Sequence, residues 1–264
     1  MRSILFVLAC CGAAQPAFAQ FTATYAGTQT QGGTQVPATA QFAVEAGHVA
    51  AIMTGVRGGR IVFDEKAQVL HLISDADQTY IDIDKSSAGR GDPMQMMQQQ
   101  LDRMPPAQRA QAEQMMKSMT SAMPPPLTYV TSTEKKTIAG YECTRVDGMR
   151  GTDKVTEYCG STSRDFTMTD AEHRTMLDMQ GYLRNFMIMV RNADNTMRAF
   201  QWDTSVDGYP VNTRCYDHGT MTLDLTLQSV SRKPISSELF DVPKGYKKLD
   251  MSTLTGRGRG HGGQ

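Results

Sequence analysis

Short apolar runs, each ended by a polar turn, follow one another through residues 21–84, and this rhythm points to an antiparallel β-sheet. The runs are 21–25, 40–46, 48–53, 60–64, 69–73 and 79–84, with turns at Gly47, 65–68 and 75–78. No helix-length amphipathic segment lies between them, so nothing here reads as a parallel βαβ unit. The pattern returns at 127–131, in a hairpin of 137–147 and 154–159 turning around 148–151, and over 198–206, 209–216 and 220–230. Asp207-Gly208 predicts a hairpin turn. In the last run Met221, Leu223, Leu225 and Leu227 alternate with Thr222, Asp224, Thr226 and Gln228, so one side meets a core and the other meets water.

Two segments interrupt the strands. Residues 88–124 are rich in Met and Gln and predict two short helices joined at Pro105-Pro106, an insertion between β segments. Residues 169–190 predict a longer helix. Thr169 with Glu172 three residues on is a capping-box signature. Met176, Met179, Leu183, Phe186 and Val190 recur at helical spacing, with Met187 beside them. These six side chains are the expected lining of a ligand groove or its lid. The Gly/Arg-rich residues 251–264 predict a disordered tail.

The first 19 residues carry a charge at Arg2, an apolar stretch over 4–14, Pro16, and small residues at Ala17 and Ala19. They read as a secretory signal peptide cleaved before Gln20, leaving one domain over 20–250 in the periplasm or outside the cell. Val7-Leu8-Ala9-Cys10 offers a rival reading as a lipoprotein anchoring site at Cys10. No later stretch approaches the roughly 20 apolar residues of a membrane-spanning helix, so an integral membrane protein is not expected. Cleavage leaves Cys143, Cys159 and Cys215 in an oxidising compartment. A Cys143–Cys159 disulfide is expected, in a register that also sets Arg145 opposite Glu157.

The formal net charge is zero, with 27 residues of each sign, which gives nucleic acid no global field to respond to. Asp75-Ala-Asp77-Gln-Thr79 resembles the nucleophile motif of haloacid-dehalogenase-type phosphatases. That chemistry needs a parallel α/β sheet, and here a strand follows directly, so a β-turn is the expectation. Arg90-Gly91-Asp92 is too short to carry meaning. The histidines His48, His71, His173, His218 and His261 show no metal-ligand spacing, and no nucleophile elbow is present. Hence no catalytic residue, metal site or cofactor is expected. The 19 methionines allow two readings. They form an adaptable apolar face, or Met94, Met96, Met97, Met115, Met116, Met119, Met187 and Met189 supply soft donors for Cu(I).

Residues 61–84, Thr137-Ile-Ala-Gly-Tyr-Glu-Cys143 and Phe240-Asp-Val-Pro-Lys-Gly-Tyr246 together resemble a bacterial exported family of unknown function. That family is similar in architecture to the LolA-like lipoprotein carriers. The resemblance implies a mainly β (α+β) half-barrel, a curved antiparallel sheet with helices on its concave face and the Met-rich helical insertion as an addition. It implies a hydrophobic or acyl-type partner in the groove and supplies no catalytic residues. The insertion departs from the carriers proper. A structural or protein-interaction role in the cell envelope is the alternative.

Overall fold

The computed structural model describes residues 20–55, 59–84, 125–189 and 198–250, with Pro105, Arg109 and Gln114; the side chains of Asn185 and of residues 187–189 are not among those described. The expected signal peptide, nearly all of the Met-rich insertion with its two helices, the Met187 side chain, Val190 and the Gly/Arg tail lie outside these residues.

The first half forms a six-strand meander: β1 (Gln20–Gln31), β2 (Thr34–Glu45), β3 (His48–Thr54), β4 (Gly59–Asp64), β5 (Val69–Ser74) and β6 (Thr79–Asp84). The first hairpin is longer than its apolar runs suggest, because β1 and β2 stay paired out to Gln31 and Thr34. Pro37 sits in β2 without breaking the sheet. β3 pairs with β2 only up to Thr39, so no strand on that side needs the missing N–H.

The second half supplies β7 (Leu127–Ile138), β8 (Tyr141–Arg150), β9 (Asp153–Ser161), helix α1 (Asp170–Met189), β10 (Tyr209–Asp217) and β11 (Thr220–Ser231). A two-residue β12 (Lys247–Lys248) closes the order β12-β6-β5-β4-β3-β2-β1-β11-β10-β9-β8-β7. All neighbours are antiparallel except β12 on β6. The two meanders meet only at β1 and β11, and β12 and β7 do not pair, so the sheet is large and unclosed. A curved half-barrel fits this arrangement, with α1 as the helix that packs on it.

At the seam, β1 lies so near β11 that a Cβ on Gly27 would stand 1.8 Å from the Asp224 carbonyl oxygen. Only glycine is accommodated there.

Capping fixes the start of α1. The Thr169 N–H donates to Glu172 Oε2 at 2.8 Å and the Glu172 N–H donates to Thr169 Oγ1 at 3.3 Å, the reciprocal box expected from sequence. Glu172 is fully buried and also accepts from Arg232 at 2.5 Å. Arg232 further donates to the carbonyls of Gln20 and Thr167. One guanidinium thus joins the start of β1, the turn before α1 and the end of β11.

The Cys143–Cys159 disulfide is present, spanning 16 residues. It is compatible with an extracytoplasmic chain. The expected register is corrected, however: Cys159 stands opposite Arg145, and Glu157 opposite Asp147. The turn falls at Gly151, which has φ +60°, rather than around 148–151, and a bulge at Gly148/Met149 absorbs the difference. The two facing carboxylates are tolerated because cations sit among them. Lys154 Nζ lies 2.5 Å from Glu157 and 3.7 Å from Asp147, Arg145 pairs with Asp147, and Arg214 bridges Glu157 and Asp224.

The expected strand over 198–206 is also corrected. This segment forms no strand: Arg198 and Ala199 are helical, a loop with Phe200 to Trp202 buried follows, and Asp207-Gly208 is no hairpin turn, since β10 pairs with β9 and β11. Its backbone is satisfied by distant side chains instead of a ladder. Gln180 Nε2 donates to the Phe200 carbonyl, and the Asp203 N–H donates to the Tyr158 hydroxyl.

On the face of the sheet away from α1, residues 235–249 cross β2 to β6 as a strap. Phe240, Ile235, Val242 and Tyr246 cover Ala43, Ala50, Val62 and Ile73. Arg60 grips Asp75 with two nitrogens, at 2.5 and 3.0 Å, and Tyr246 Oη donates to the same carboxylate at 2.9 Å. Beyond it the Lys247 and Leu249 N–H groups donate to the Gln78 and Tyr80 carbonyls.

Two outcomes follow from these fastenings. Replacing Cys143 and Cys159 together by Ser should cost about 3 kcal/mol for a loop of this length, lowering Tm by roughly 5–12 °C on calorimetry. Burial acts to raise the Asp75 pKa, but the hydrogen bonds from Arg60 and Tyr246 prevail and hold it below the usual carboxylate value. Its contribution is therefore complete at neutral pH and is lost as the pH falls below about 4, through the depressed folded pKa. Amide exchange at Lys247 and Leu249, corrected for intrinsic rates, should accelerate at acid pH, and Asp75→Asn should produce the same loosening at pH 7.

Candidate functional site

The side of the sheet that faces α1 is filled by apolar packing. Met176, Met179, Leu183 and Phe186 are 2, 0, 0 and 1% exposed, and they join Phe42, Phe63, Phe200, Trp202 and strand residues in one core. The helix rests on β2, β3 and β5. Its approach is fixed by polar ties: the Gly47 N–H donates to Thr175 Oγ1, Thr175 donates to Glu65, and the Tyr182 hydroxyl donates to Gln68. Four of the six residues expected to line a groove are therefore brought together, as core. The Met187 side chain and Val190 fall outside the described residues.

The buried loop explains why so little space remains. Phe42 meets Phe200 edge-on at 5.1 Å between centroids and Trp202 at 6.0 Å, and Trp202 continues to Tyr209 at 5.7 Å. Each such ring buries a large apolar area in a favoured tilted geometry.

A pocket of about 150 Å³ persists where α1, the loop and the far strand β7 meet. It is lined by Leu127 and Tyr129 from β7, Gln180 and Arg184 from α1, and Gln201, Trp202, Asp203 and Thr204 from the loop. Gln180 and Arg184 each follow directly after a core residue, Met179 and Leu183, so the pocket uses the adjacent flank of the helix. Arg184 donates to Thr204 Oγ1 at 2.8 Å. The Tyr129 hydroxyl is buried without a hydrogen-bond partner among the described residues. Burial, with the neighbouring Tyr158 and Asp203, pushes its pKa well above the usual phenol value, so it is a neutral donor at any physiological pH.

Sequence reasoning missed this set. One available signal was Gln180 and Arg184 at i, i+4 beside the apolar stripe. The other was the position of the chain's one tryptophan, Trp202, in a segment read as a strand.

The remaining candidates resolve into structural roles. Asp75 to Thr79 spans the turn between antiparallel β5 and β6, as expected for a plain β-turn, with Ser74 and Asp77 hydrogen-bonded across it. His48 neighbours Glu45 and Asp64, His71 contacts Asp82 at 2.6 Å, His173 contacts the Tyr209 hydroxyl at 2.7 Å, and His218 is exposed in a turn. Among the described residues no three metal-ligating side chains of the His, Cys, Asp or Glu type converge. No helix among them is long and apolar enough to cross a membrane.

A large open antiparallel sheet, one packed helix and a small semi-polar pocket define the class of protein. Residues 113–246 match the family described as a domain of unknown function, DUF4412, and the chain belongs to that family. No curated protein matches the chain. Among solved structures it is similar to an uncharacterized conserved protein from Thermus thermophilus, at 8% identity over 88% of this chain and 90% of that one, with a TM-score of 0.42. It is also similar to PNGF-II, at 8% identity over 90% and 32% of the two chains with a TM-score of 0.42, and to MucB, at 9% over 84% and 56% with a TM-score of 0.33. The chain spans about a third of PNGF-II and just over half of MucB. With TM-scores below 0.5, these likenesses carry no argument about what this chain binds.

The packing assigns Leu183 a measurable weight. Leu183→Ala should destabilise the protein by about 2–5 kcal/mol, read as a lower urea midpoint at unchanged slope. A loss under about 1 kcal/mol would mean that this helix face is loosely held and already open.

Proposed function

We propose that the protein is an exported, non-catalytic binder of a hydrophobic, acyl-type molecule held between the sheet and α1, with the Leu127–Tyr129–Trp202 pocket as its mouth. The observation that carries this reading is that pocket, a semi-polar slot between the helix, the loop and β7 whose Tyr129 hydroxyl is buried with no hydrogen-bond partner among the described residues. Its volume bounds the ligand. Drug-sized sites run to about 300–1,000 Å³, whereas a cavity of about 150 Å³ suits a single ring or a short stretch of chain. A longer acyl chain is admitted only if α1 yields. Met176 and Met179 on its buried face are unbranched and adaptable enough to repack around an incoming chain. The Cys143–Cys159 disulfide, expected of an exported chain, is compatible with the same reading.

The near-complete burial of Met176 to Phe186 favours a second reading, a structural or protein-interaction domain whose core is simply full. The two separate in one titration, because Trp202 is the chain's one tryptophan and lines the pocket. Adding dodecanol should change Trp202 emission saturably near one equivalent, and Leu127→Trp should obstruct the slot and abolish dodecanol uptake measured by equilibrium partition. Emission that does not respond, with no lipid recovered by organic extraction of the protein from its own compartment, supports the filled-core reading instead.

A further inference from the structure

Beside the pocket stand two guanidinium groups that form no ion pair among the described residues. Arg150 ends β8 directly opposite Leu127, a pocket residue, and Arg198 lies three residues before Gln201, the first of the loop residues 201–204 that complete the lining. The Nε atoms of both are buried with no hydrogen-bond partner among the described residues. Arg198 makes one contact through its terminal nitrogen, to the Tyr216 carbonyl at 3.4 Å. Neither forms an ion pair with a carboxylate among the described residues, although Asp153 is the register partner of Arg150 on β9 and Asp203 lies in the pocket wall. Arg145, whose Nε is also unpartnered, differs in being paired with Asp147.

Burial pushes the Arg150 pKa down, and the nearby Arg198 charge pushes it further in the same direction. Two like charges brought together as their donors lose water are unfavourable unless something accepts from both. Guanidinium forks match the paired oxygens of a carboxylate or phosphate. Arg184, from α1, adds a third cation to the lining of the adjoining pocket, to which the loop contributes Asp203.

We propose that Arg150 and Arg198 form an oxyanion-binding pair beside the pocket and receive the acidic head group, carboxylate or phosphate, of the amphiphile whose chain enters between sheet and helix. This rests on the acyl-binding reading above and names the chemical class of its ligand: a single-chain anionic amphiphile. The Tyr129 hydroxyl and Arg184 donate from the pocket wall, while the arginine pair discriminates acid from alcohol.

The test compares dodecanoate, dodecanol and inorganic phosphate on the intact mature protein, read by Trp202 emission and by calorimetric titration, for the wild type, Arg150→Gln, Arg198→Gln and the double variant. Dodecanoate should bind about 10- to 100-fold more tightly than dodecanol, and the double variant should erase that preference while leaving dodecanol affinity unchanged. Because neither arginine has a carboxylate partner among the described residues to lose, the variants should unfold at the wild-type temperature or above it, which separates a lost site from a lost fold. Equal affinity for acid and alcohol, untouched by the substitutions, overturns the head-group pair and leaves the apolar groove standing. Arginine-dependent phosphate binding with no response to either dodecyl compound overturns the amphiphile assignment along with the acyl reading. Absence of any binding overturns both.

Discussion

The β1–β11 ladder is the constraint on which the architecture turns. Six strands lie on one side of it and five on the other, with β12 added at the far edge, and no other strand pairing connects the two groups. Its register runs from Thr22 against Ser231 to Gln29 against Leu223, with a bulge at Thr24/Tyr25. The bulge adjusts the twist as the chain passes from one meander to the other. The absence of a side chain at Gly27 brings the backbones into contact. Around this seam the polar ties converge: the Tyr25 hydroxyl donates to the Pro210 carbonyl, and Asn212 reaches Asp224, Leu225 and Thr226. A one-residue slip here would turn the buried faces of all the outer strands toward water.

The pocket is a consequence of how α1 is anchored. Its N-terminal end is fixed by the Glu172–Arg232 pair, a buried charge tolerable because the carboxylate also accepts the Thr169 N–H. From there it runs over β2, β3 and β5 in the first meander, and at the opposite flank of the sheet residues 201–204 of the loop meet β7 beside the pocket. A loop cannot offer the regular apolar stripe of a helix, and polar groups consequently remain at that corner: Gln180, Arg184, Gln201, Asp203 and the Tyr129 hydroxyl. The matched family region, 113–246, contains every residue that lines the pocket.

Much of this was legible in the sequence where local rules suffice. The cores of β3 to β6 follow from short apolar runs closed by polar turns, and the reciprocal box at Thr169 and Glu172 from a four-residue signature. The disulfide partners were legible too, but their register was not, since it depends on a bulge at Gly148/Met149 that no residue pattern announces. The 198–206 segment departs from its sequence pattern for a related reason. Phe200 and Trp202 are spaced like strand residues, yet β9 already has β8 and β10 as neighbours, and the loop's backbone is satisfied by Gln180 and Tyr158. The pocket residues belong to three separate stretches of chain, so only the three-dimensional arrangement assembles them. The stripe from Met176 to Phe186 was correctly seen as one apolar face, and its burial shows that the sheet already occupies the space beside it.

The strap gives the fold a direction in time. The first meander completes its internal pairing with residue 84, well before the chain that shields its outer face exists. Until residues 235–249 emerge, Ala43, Val62 and Ile73 stand bare and β6 is a free edge of the kind that recruits foreign strands. A nascent chain made from its N-terminus forward therefore carries an adhesive half-sheet until the strap, more than 150 residues further along, has appeared and covered it.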